Sequence, residues 1–362
     1  MAKKVFLGIF GACAITVLVF LIVPAPAPVL ALRFWGGKFT RDGKALVTVG
    51  GQTRPGEHPY LGEFILWDMA GGTKKGVFQQ RWGIRGVDVS PDGTFVALGD
   101  FGGVTRLVDP VTGKTLASFL HRLSAVNAVA ISGDNKLVVS GCQDGKISVW
   151  DLEARRQRLL SFPQESMVSV AISPGGRMAA ASRSGKVFLI DLQRNLSPTG
   201  LLAYGDPPAP RGAAEAVAFA PDGLALATGC QAALKLWETK TGTLIRDFKV
   251  RNANTNNVAA SDDGAAPVKA ETNATRFTSI AFPGGGGALA TADWNGMLTL
   301  WNVETGERLK TVQAHAGPCF SLCFSPDFKR IATVGRNDFR VRIWDAQTLE
   351  LITSFNRSGQ SR

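Results

Sequence analysis

The sequence predicts an all-β fold built from seven copies of one small sheet, and two repeating features predict it. The first feature is a short apolar segment that ends in Asp, Glu or Asn. It reads ILWD, RLVD, SVWD, FLID, KLWE, TLWN and RIWD, ending at Asp68, Asp109, Asp151, Asp191, Glu238, Asn302 and Asp345. Most copies follow one another at intervals of about 40 to 45 residues, the length of one four-stranded repeat unit.

The second feature is a tight turn that precedes each of these segments. The turns read RDG, SPDG, SGDN, SPGG, APDG, PGGG and SPDF, beginning at Arg41, Ser90, Ser132, Ser173, Ala220, Pro283 and Ser325. Gly, Pro and Asp favour such turns between strands. Since one four-stranded sheet cannot bury both of its faces, we expect the sheets to stack radially in a closed ring. The predicted fold is a seven-bladed β-propeller of four-stranded antiparallel blades.

With these segments in register, the chain resembles the WD-repeat propeller family from Arg33 to Arg357. Blades two and four depart from the family's pattern, because Val108 and Ile190 stand where the pattern has tryptophan. The sequence allows two ways of closing the ring. Residues Glu350 to Asn356 can supply the outer strand of the last blade locally, or Val29 to Leu32 can add to that sheet.

An uncharged apolar segment precedes the repeats. Lys3 and Lys4 come before a run from Val5 to Val23, which predicts one N-terminal hydrophobic helix, a signal-anchor or signal peptide over residues 1–23. Residues 24–32 are a Pro/Ala-rich spacer, residues 33–357 the propeller and residues 358–362 a tail. The two lysines predict a membrane contact through residues 5–23, with the propeller anchored on the non-cytoplasmic side. The alternative is export of the propeller after signal cleavage.

Charge and cysteine content bear on several other functions. The formal net charge of +11 favours anionic partners, but the basic residues are scattered, so no specific nucleic acid is expected. The five cysteines form no CxxC pair, so no disulfide framework is implied. With three histidines and no HExxH or GxSxG motif, a metal or hydrolase site has little material. We therefore expect no metal and no cofactor.

One group of polar residues imitates a catalytic site. His121, Ser140 and Asp144 are the side-chain types of a Ser-His-Asp triad. The family resemblance implies instead that a His, a Ser or Thr, an Asp and a Trp form a buried structural hydrogen-bond network. The residues that match this tetrad are His121, Ser140, Asp144 and Trp150, and again His315, Thr333, Asp338 and Trp344. We prefer the structural role, because a fully satisfied polar network fixes the geometry of a blade.

The long connections identify a candidate binding surface. The geometry implied by the resemblance puts the loops between blades on the same rim as those between second and third strands. Three of these connections are long: Gln52 to Glu63, Gly205 to Ala213, and about Arg251 to Thr275. Trp294 lies in a blade turn where the repeat gives tryptophan no structural place, and an exposed aromatic is a typical binding anchor. The candidate partner-binding residues are Trp294, Tyr60, His58, Gln143 and Asn337.

The predicted function is that of a non-catalytic scaffold that binds a protein partner through the rim with the long loops. The alternative is a propeller enzyme of lactonase-like or lyase-like type acting on a small molecule in the central channel. Gly113, Lys114 and Thr115 resemble the end of a phosphate-binding loop, but Val108 stands where that motif needs its first glycine. The sequence does not identify the partner.

Overall fold

A computed structural model of the 362-residue chain describes residues 31–53, 61–121, 124–193, 195–203, 214–250 and 275–356. Within these ranges, 28 strands form seven sheets of four antiparallel strands. Every sheet takes four consecutive strands that pair in chain order, so each blade is a simple meander. The predicted seven-bladed propeller of four-stranded antiparallel blades is confirmed.

The first four blades contain strands β1 to β16. Blade one has β1 (Ala31–Phe39), β2 (Ala45–Thr53), β3 (Leu61–Asp68) and β4 (Lys74–Gln80). Blade two has β5 (Ile84–Val89), β6 (Val96–Asp100), β7 (Val104–Val108) and β8 (Thr115–Leu120). Blade three has β9 (Val126–Ile131), β10 (Leu137–Cys142), β11 (Lys146–Asp151) and β12 (Arg156–Ser161). Blade four has β13 (Met167–Ile172), β14 (Arg177–Ser182), β15 (Lys186–Asp191) and β16 (Asn195–Ala203).

The remaining three blades contain strands β17 to β28. Blade five has β17 (Ala216–Phe219), β18 (Ala225–Cys230), β19 (Ala233–Glu238) and β20 (Leu244–Asp247). Blade six has β21 (Phe277–Ala281), β22 (Ala288–Asp293), β23 (Met297–Asn302) and β24 (Arg308–Gln313). Blade seven has β25 (Cys319–Phe324), β26 (Arg330–Gly335), β27 (Arg340–Asp345) and β28 (Leu351–Asn356).

The first strand of each blade is its innermost strand. Each first strand contacts the first strands of both neighbouring blades, and the contact between β1 and β25 completes the circle. Propeller blades surround a central channel. The first strands therefore line this channel, and the fourth strands lie at the outer circumference.

The ring closes without a strand shared between the chain ends. β28 pairs with β27 inside blade seven, and β1 pairs with β2 inside blade one, so the local solution for the last outer strand is the correct one. Hydrogen bonds cross the seam, because Gly37 N donates to Ser321 Oγ and Ser321 Oγ donates to Gly37 O, both at 3.2 Å. The rings of Trp67 and Phe355 also pack across it, with centroids 4.9 Å apart. Side-chain packing therefore joins blade seven to blade one.

Burial is greatest in the middle strands and least in the outer ones. All residues of β6 are buried, whereas those of β8 alternate between partly buried and exposed. The middle strands have both faces covered by neighbouring blades, so small and apolar side chains such as Ala179, Ala180 and Ala181 pack there. The described residues contain seven apolar clusters, one at each boundary between adjacent blades. The hydrophobic core is therefore a ring of seven interfaces.

The tight turns that the sequence predicts join the first and second strands of the blades. In blade two, Asp92 accepts a hydrogen bond of 3.0 Å from the backbone N–H of Thr94. Gly93 in the same turn has φ of 77°, a conformation that glycine adopts without steric cost. In blade seven, Asp327 accepts from the N–H of Lys329 at 3.1 Å. The Asp of these turns therefore has a local structural role.

The predicted membrane-anchored location is wrong. In the described part of the chain, no helix is long and apolar enough to cross a membrane. A crossing helix needs about 20 consecutive apolar residues, and the described residues form β-strands with alternating or wholly buried faces instead. The expected helix over residues 5–23, most of the spacer and the tail at 358–362 lie outside the described residues, and so does the expected cleavage of a signal.

Candidate functional site

One end of the propeller carries the turns between second and third strands and the connections that enter the first strands. In five blades, the first N–H of such a turn donates to the carbonyl just before the first strand. The pairs, at 2.8 to 3.0 Å, are Phe101 with Gly83, Gln143 with Ala125, Arg183 with Ser166, Trp294 with Arg276, and Arg336 with Pro318. We call this end the loop rim; it comprises these turns and the connections that precede β5, β9, β13, β17, β21 and β25. The other end is the turn rim.

The long connections belong to the loop rim by their position in the chain. Residues 54–60 join β2 to β3, residues 204–213 join β16 to β17, and residues 251–274 precede β21. The predicted binding residues His58 and Tyr60 lie outside the described residues. Gln143 and Asn337 are exposed in turns of the loop rim, and Trp294 begins another of these turns. Three of the five predicted residues therefore share one rim.

Trp294 is partly buried in a cluster of aromatic and arginine side chains. The guanidinium carbon of Arg276 lies 4.3 Å from the centroid of the indole ring. Phe320 meets the indole edge to face, with centroids 5.6 Å apart, and Arg336 lies 5.1 Å from the centroid of Phe320. The sequence predicts a free-standing aromatic anchor, whereas these neighbours hold the indole in one orientation.

Arg276 is fixed from a second side by an ion pair. Its Nε donates to Glu215 Oε2 at 2.8 Å, and its Nη2 donates to Glu215 Oε1. Such a two-point contact between guanidinium and carboxylate fixes both planes. Arg276 therefore lies between the carboxylate of blade five and the indole of blade six, and Trp294 stacks on a cation that is already held in place.

A second aromatic pair lies at the loop rim of blades one and two. The rings of Trp35 and Phe101 are perpendicular, with centroids 5.2 Å apart. Gly83 lies against both rings, because an added Cβ would come within 2.9 Å of Trp35 and 3.1 Å of Phe101. The absence of a side chain at position 83 therefore permits this pair to form.

The innermost strands share an irregularity near their loop-rim ends. In six blades the pairing with the second strand skips one residue: Trp35 in blade one, Arg85 in blade two, Asn127 in blade three, Val168 in blade four, Thr278 in blade six and Phe320 in blade seven. A β-bulge re-aims a side chain and ends regular pairing. Since first strands line the channel, these bulges surround its mouth with side chains of different chemistry.

Arg85 is the cation that the bulge of blade two contributes. Its Nη1 donates to Asn127 Oδ1 at 3.1 Å, and Asn127 Nδ2 donates to the carbonyl of Met167 at 2.7 Å. Burial lowers the pKa of Arg85, and the like charges of Arg183 and Arg336 lower it further, while Glu215 acts in the opposite direction. Arg183 and Arg336 are the first residues of loop-rim turns, so blades two, four and seven each contribute a positive charge to this end of the channel.

The tetrad of blade seven forms one connected network. Trp344 Nε1 donates to Thr333 Oγ1 at 2.8 Å, His315 Nε2 lies 2.9 Å from the same oxygen, and His315 Nδ1 lies 2.8 Å from Asp338 Oδ2. Arg342 Nη1 donates to Asp338 at 2.6 Å. Burial alone would raise the pKa of the Asp338 carboxyl, but its bonds to His315 and Arg342 lower it to about 2. The network joins β26, β27, the turn between them and the connection before the blade.

The corresponding residues of blade three are connected differently. His121 Nε2 lies 3.0 Å from Thr105 Oγ1 of blade two, and its Nδ1 lies 3.0 Å from Ser148 Oγ. Asp144 is exposed and pairs with Lys146, two residues away. The indole N–H of Trp150 is buried without a hydrogen-bond partner among the described residues. Compared with blade seven, Thr105 occupies the place of the tetrad hydroxyl at Nε2, and Ser148 occupies the place of the carboxylate at Nδ1; the sequence pattern points to neither.

Ser140, the nucleophile of the catalytic alternative, has no exposed surface. Its Oγ lies 2.8 Å from Thr105 Oγ1, inside the packing between blades two and three. A nucleophilic hydroxyl must reach the substrate and lie beside its base. In the part of the chain that the structure describes, no three His, Cys, Asp or Glu side chains cluster as a metal site would require. Ser140 therefore does not meet the requirement for a nucleophile in the described structure.

The four described cysteines are free thiols buried between blades. Burial raises the pKa of Cys142 and of Cys230 to about 12 and that of Cys323 to about 11, and it also raises the pKa of Cys319. Thiolates are the reactive form. We expect Ellman's reagent at about pH 8 to modify at most one of the five thiols rapidly in native protein, and all five in urea. Rapid native modification of two or more thiols would contradict the packing of the blades.

Most residues of the channel mouth are not apparent from the sequence. Arg85, Arg183 and Arg336 are isolated cations in the chain, and Glu215 precedes Arg276 by 61 residues. One signal is present: Phe101, Arg183, Trp294 and Arg336 all follow directly after the second strand of their blade. Alignment of the repeats on this position would have grouped four of the rim residues.

The comparisons with known proteins agree with the repeats. The family model described as WD domain, G-beta repeat matches residues 113–151 and 306–345. Apoptotic protease-activating factor 1 of Rattus norvegicus is 23% identical over 281 residues, which is 75% of this chain and 20% of the relative. Target of rapamycin complex subunit LST8 of Mus musculus is 26% identical over 178 residues, 47% of this chain and 54% of the relative.

A third relative is WD repeat-containing protein SL1-17 of Schistosoma mansoni, 24% identical over 187 residues, 50% of this chain and 60% of the relative. The chain thus covers between a fifth and three fifths of these relatives. Its likeness to them lies in the repeats and their blades. The matched repeats, the WD-repeat relatives and the seven four-stranded blades together support a WD-repeat β-propeller family for this chain.

Proposed function

We propose that this protein is a non-catalytic scaffold that binds a protein partner through the loop rim. The observation that carries the proposal is the cluster of Trp294, Phe320, Arg276 and Arg336 on that rim. Tryptophan and arginine are the residues most enriched among the side chains that dominate binding energy at protein interfaces. An indole held between fixed neighbours loses little conformational entropy when a partner covers it.

The distribution of long connections supports the same rim. The three long connections that include residues outside the described ranges, at 54–60, 204–213 and 251–274, join strands at the loop rim. The turn rim carries short turns such as those at 91–94 and 110–114. Among the relatives, one is named as a subunit of the target of rapamycin complex, so an assembly role is known from the name of that protein. For this chain, the same kind of role is our proposal.

Trp294→Ala tests the proposal. Full-length wild-type protein and the variant are used to capture proteins after crosslinking in the cells that produce them. We expect Trp294→Ala to weaken capture of the wild-type partner by more than about 1 kcal/mol, about fivefold in affinity, because a desolvated aromatic anchor is lost. Its melting temperature should stay close to that of wild type, since Trp294 is only partly buried.

Phe328→Ala is the matched control for this experiment. Phe328 is 45% exposed in the turn between β25 and β26, on the turn rim. We expect this variant to capture the same partner as wild type. Loss of capture in Phe328→Ala, with full capture in Trp294→Ala, would move the binding surface to the turn rim. Metal-dependent turnover of a small molecule by purified protein would favour the enzyme alternative instead.

A further inference from the structure

We propose that the mouth of the central channel at the loop rim binds an anionic group, a carboxylate or a phosphate, presented by an extended segment of the protein partner. The inference rests on the proposed function and adds the chemistry of the partner to it. Three arginines from different blades lie at this end of the ring: Arg85 in the bulge of β5, and Arg183 and Arg336 as the first residues of loop-rim turns. The positions of these arginines, of their acidic neighbours and of the aromatic pairs beside them support the proposal.

Arg85 is the cation among these arginines that lies on an innermost strand. It occupies the bulge of β5, where pairing with β6 skips it, so its side chain leaves the plane of the sheet. One of its nitrogens donates to Asn127, which is itself held by the carbonyl of Met167. A guanidinium has five N–H donors, so one neutral hydrogen bond leaves most of its fork available to a ligand.

Four acidic residues of the described loop rim pair with cations of the blades. Asp144 pairs with Lys146, and Glu165 pairs with Lys186 at 2.8 Å. Asp338 binds His315 and Arg342, as described above. Glu215 makes its two-point contact with Arg276. Within the described residues, these four carboxylates are therefore bound to cations other than Arg85 and Arg183.

The positive charge of Arg85 is in an unfavourable environment. It is partly buried and lies near enough to Arg183 and Arg336 for both to lower its pKa. Like charges that converge in a partly desolvated site are unfavourable without a counter-charge. An anion at the mouth would offset this repulsion, and guanidinium groups bind carboxylates and phosphates through paired hydrogen bonds.

Two aromatic pairs lie beside the proposed anion site. Trp35 and Phe101 lie beside the mouth at blades one and two, and Trp294 and Phe320 lie beside it at blades six and seven. These rings offer apolar faces to the residues on either side of an anionic side chain. An extended segment with one charged residue between small or apolar ones has this chemistry. A polyanion with charge at every position lacks the apolar part.

The test uses three blocked peptides, acetyl-Gly-Ala-X-Ala-Gly-amide, in which X is phosphoserine, glutamate or serine. Their binding to full-length protein is measured by isothermal titration calorimetry. We expect the phosphoserine peptide, the glutamate peptide or both to bind and the serine peptide not to bind. The stronger of the two identifies phosphate or carboxylate as the source of the charge. Binding should weaken severalfold when salt rises from about 50 mM to about 300 mM, because screening shortens the reach of the field.

Two variants locate the site. Arg85→Gln and Arg183→Gln should each weaken binding of the preferred peptide about tenfold, about 1.4 kcal/mol. Arg183 is exposed in a turn, so its replacement leaves the folded blades intact even if Arg85→Gln lowers stability. The matched control is Arg156→Gln, since Arg156 is exposed at the start of β12 on the turn rim and should leave affinity unchanged.

Three outcomes would overturn the inference. Equal binding of all three peptides, or none, would remove the anion requirement. Equal loss in Arg156→Gln would indicate a general charge effect. Binding of single-stranded polyuridylate in preference to every peptide would indicate a nucleic acid instead.

If Trp294→Ala loses the protein partner while Arg85→Gln and Arg183→Gln keep it and no peptide binds, the scaffold function stands and the anion site fails. If Trp294→Ala keeps its partner, the scaffold proposal fails by itself.

Discussion

Thr333→Val should lower the free energy of unfolding by about 3 kcal/mol, because it leaves two buried groups without a partner. Thr333 Oγ1 accepts from the indole N–H of Trp344 and lies 2.9 Å from His315 Nε2. Valine has nearly the same shape as threonine, so the packing volume is kept and only the hydroxyl is lost. Urea unfolding followed by tryptophan fluorescence measures the change.

The control for Thr333→Val makes the same chemical change on the outer strand of the same blade. Thr353 lies in β28 and is partly exposed, so Thr353→Val should change the free energy of unfolding by less than about 0.5 kcal/mol. Equal effects of the two substitutions would show that the tetrad contributes no more to stability than a surface hydroxyl. A small effect of Thr333→Val would mean that the freed groups find other partners.

The stability of the protein should decrease as pH falls through the range in which His121 would ordinarily be protonated. Burial lowers the pKa of His121 from 6.5 to about 4, although Asp144 acts against this shift. Between these values the unfolded chain binds a proton that the folded protein excludes. The stabilisation is therefore complete above about pH 6.5 and is lost progressively toward pH 4, by about 3 kcal/mol.

His121→Gln isolates this contribution, because glutamine does not titrate. Thermal unfolding of wild type and His121→Gln between about pH 7.5 and about pH 4.5 should show a smaller loss of stability in the variant. Burial also lowers the pKa of His315, but that residue is present in both proteins, so the difference between them reports His121. Identical pH profiles would show that His121 is accessible to protons in the folded protein. Asp144→Asn should have little effect on stability, since Asp144 is exposed.

The sequence and the structure give different descriptions of Trp294. The repeat pattern marks it as a tryptophan without a structural place, which predicts a free anchor. In the structure it stacks on Arg276 and meets Phe320, which comes from the next blade. Arg276 lies 18 residues before Trp294 and Phe320 lies 26 residues after it, and the period of the repeat does not show which side chains of adjacent blades meet. The candidate site therefore forms only when adjacent blades pack against each other in the ring.

The sequence by itself determined the blades. Each blade is a meander of four consecutive strands, so its signals are local: a tight turn with Asp, a buried second strand and an apolar third strand. Local pairing allows the number of blades to be counted from the chain. The N-terminal apolar run is also a local signal, and it predicted a membrane-anchored location. That prediction is wrong, because no helix in the described part of the chain could cross a membrane.

Only the tertiary structure decided how the ring closes and which side chains meet at its loop rim. Blade seven closes with its own β28, and the seam to blade one forms by packing between residues almost 300 positions apart, such as Trp67 and Phe355 across 4.9 Å. Likewise, His121 takes a hydroxyl from the preceding blade, and Arg85 lies near arginines of blades four and seven. The physical reason is the same in each case. Each strand pairs with strands that are adjacent to it in the sequence. Each blade, however, packs against side chains and charges of the neighbouring blades, and these contacts are not apparent from the order of residues in the chain.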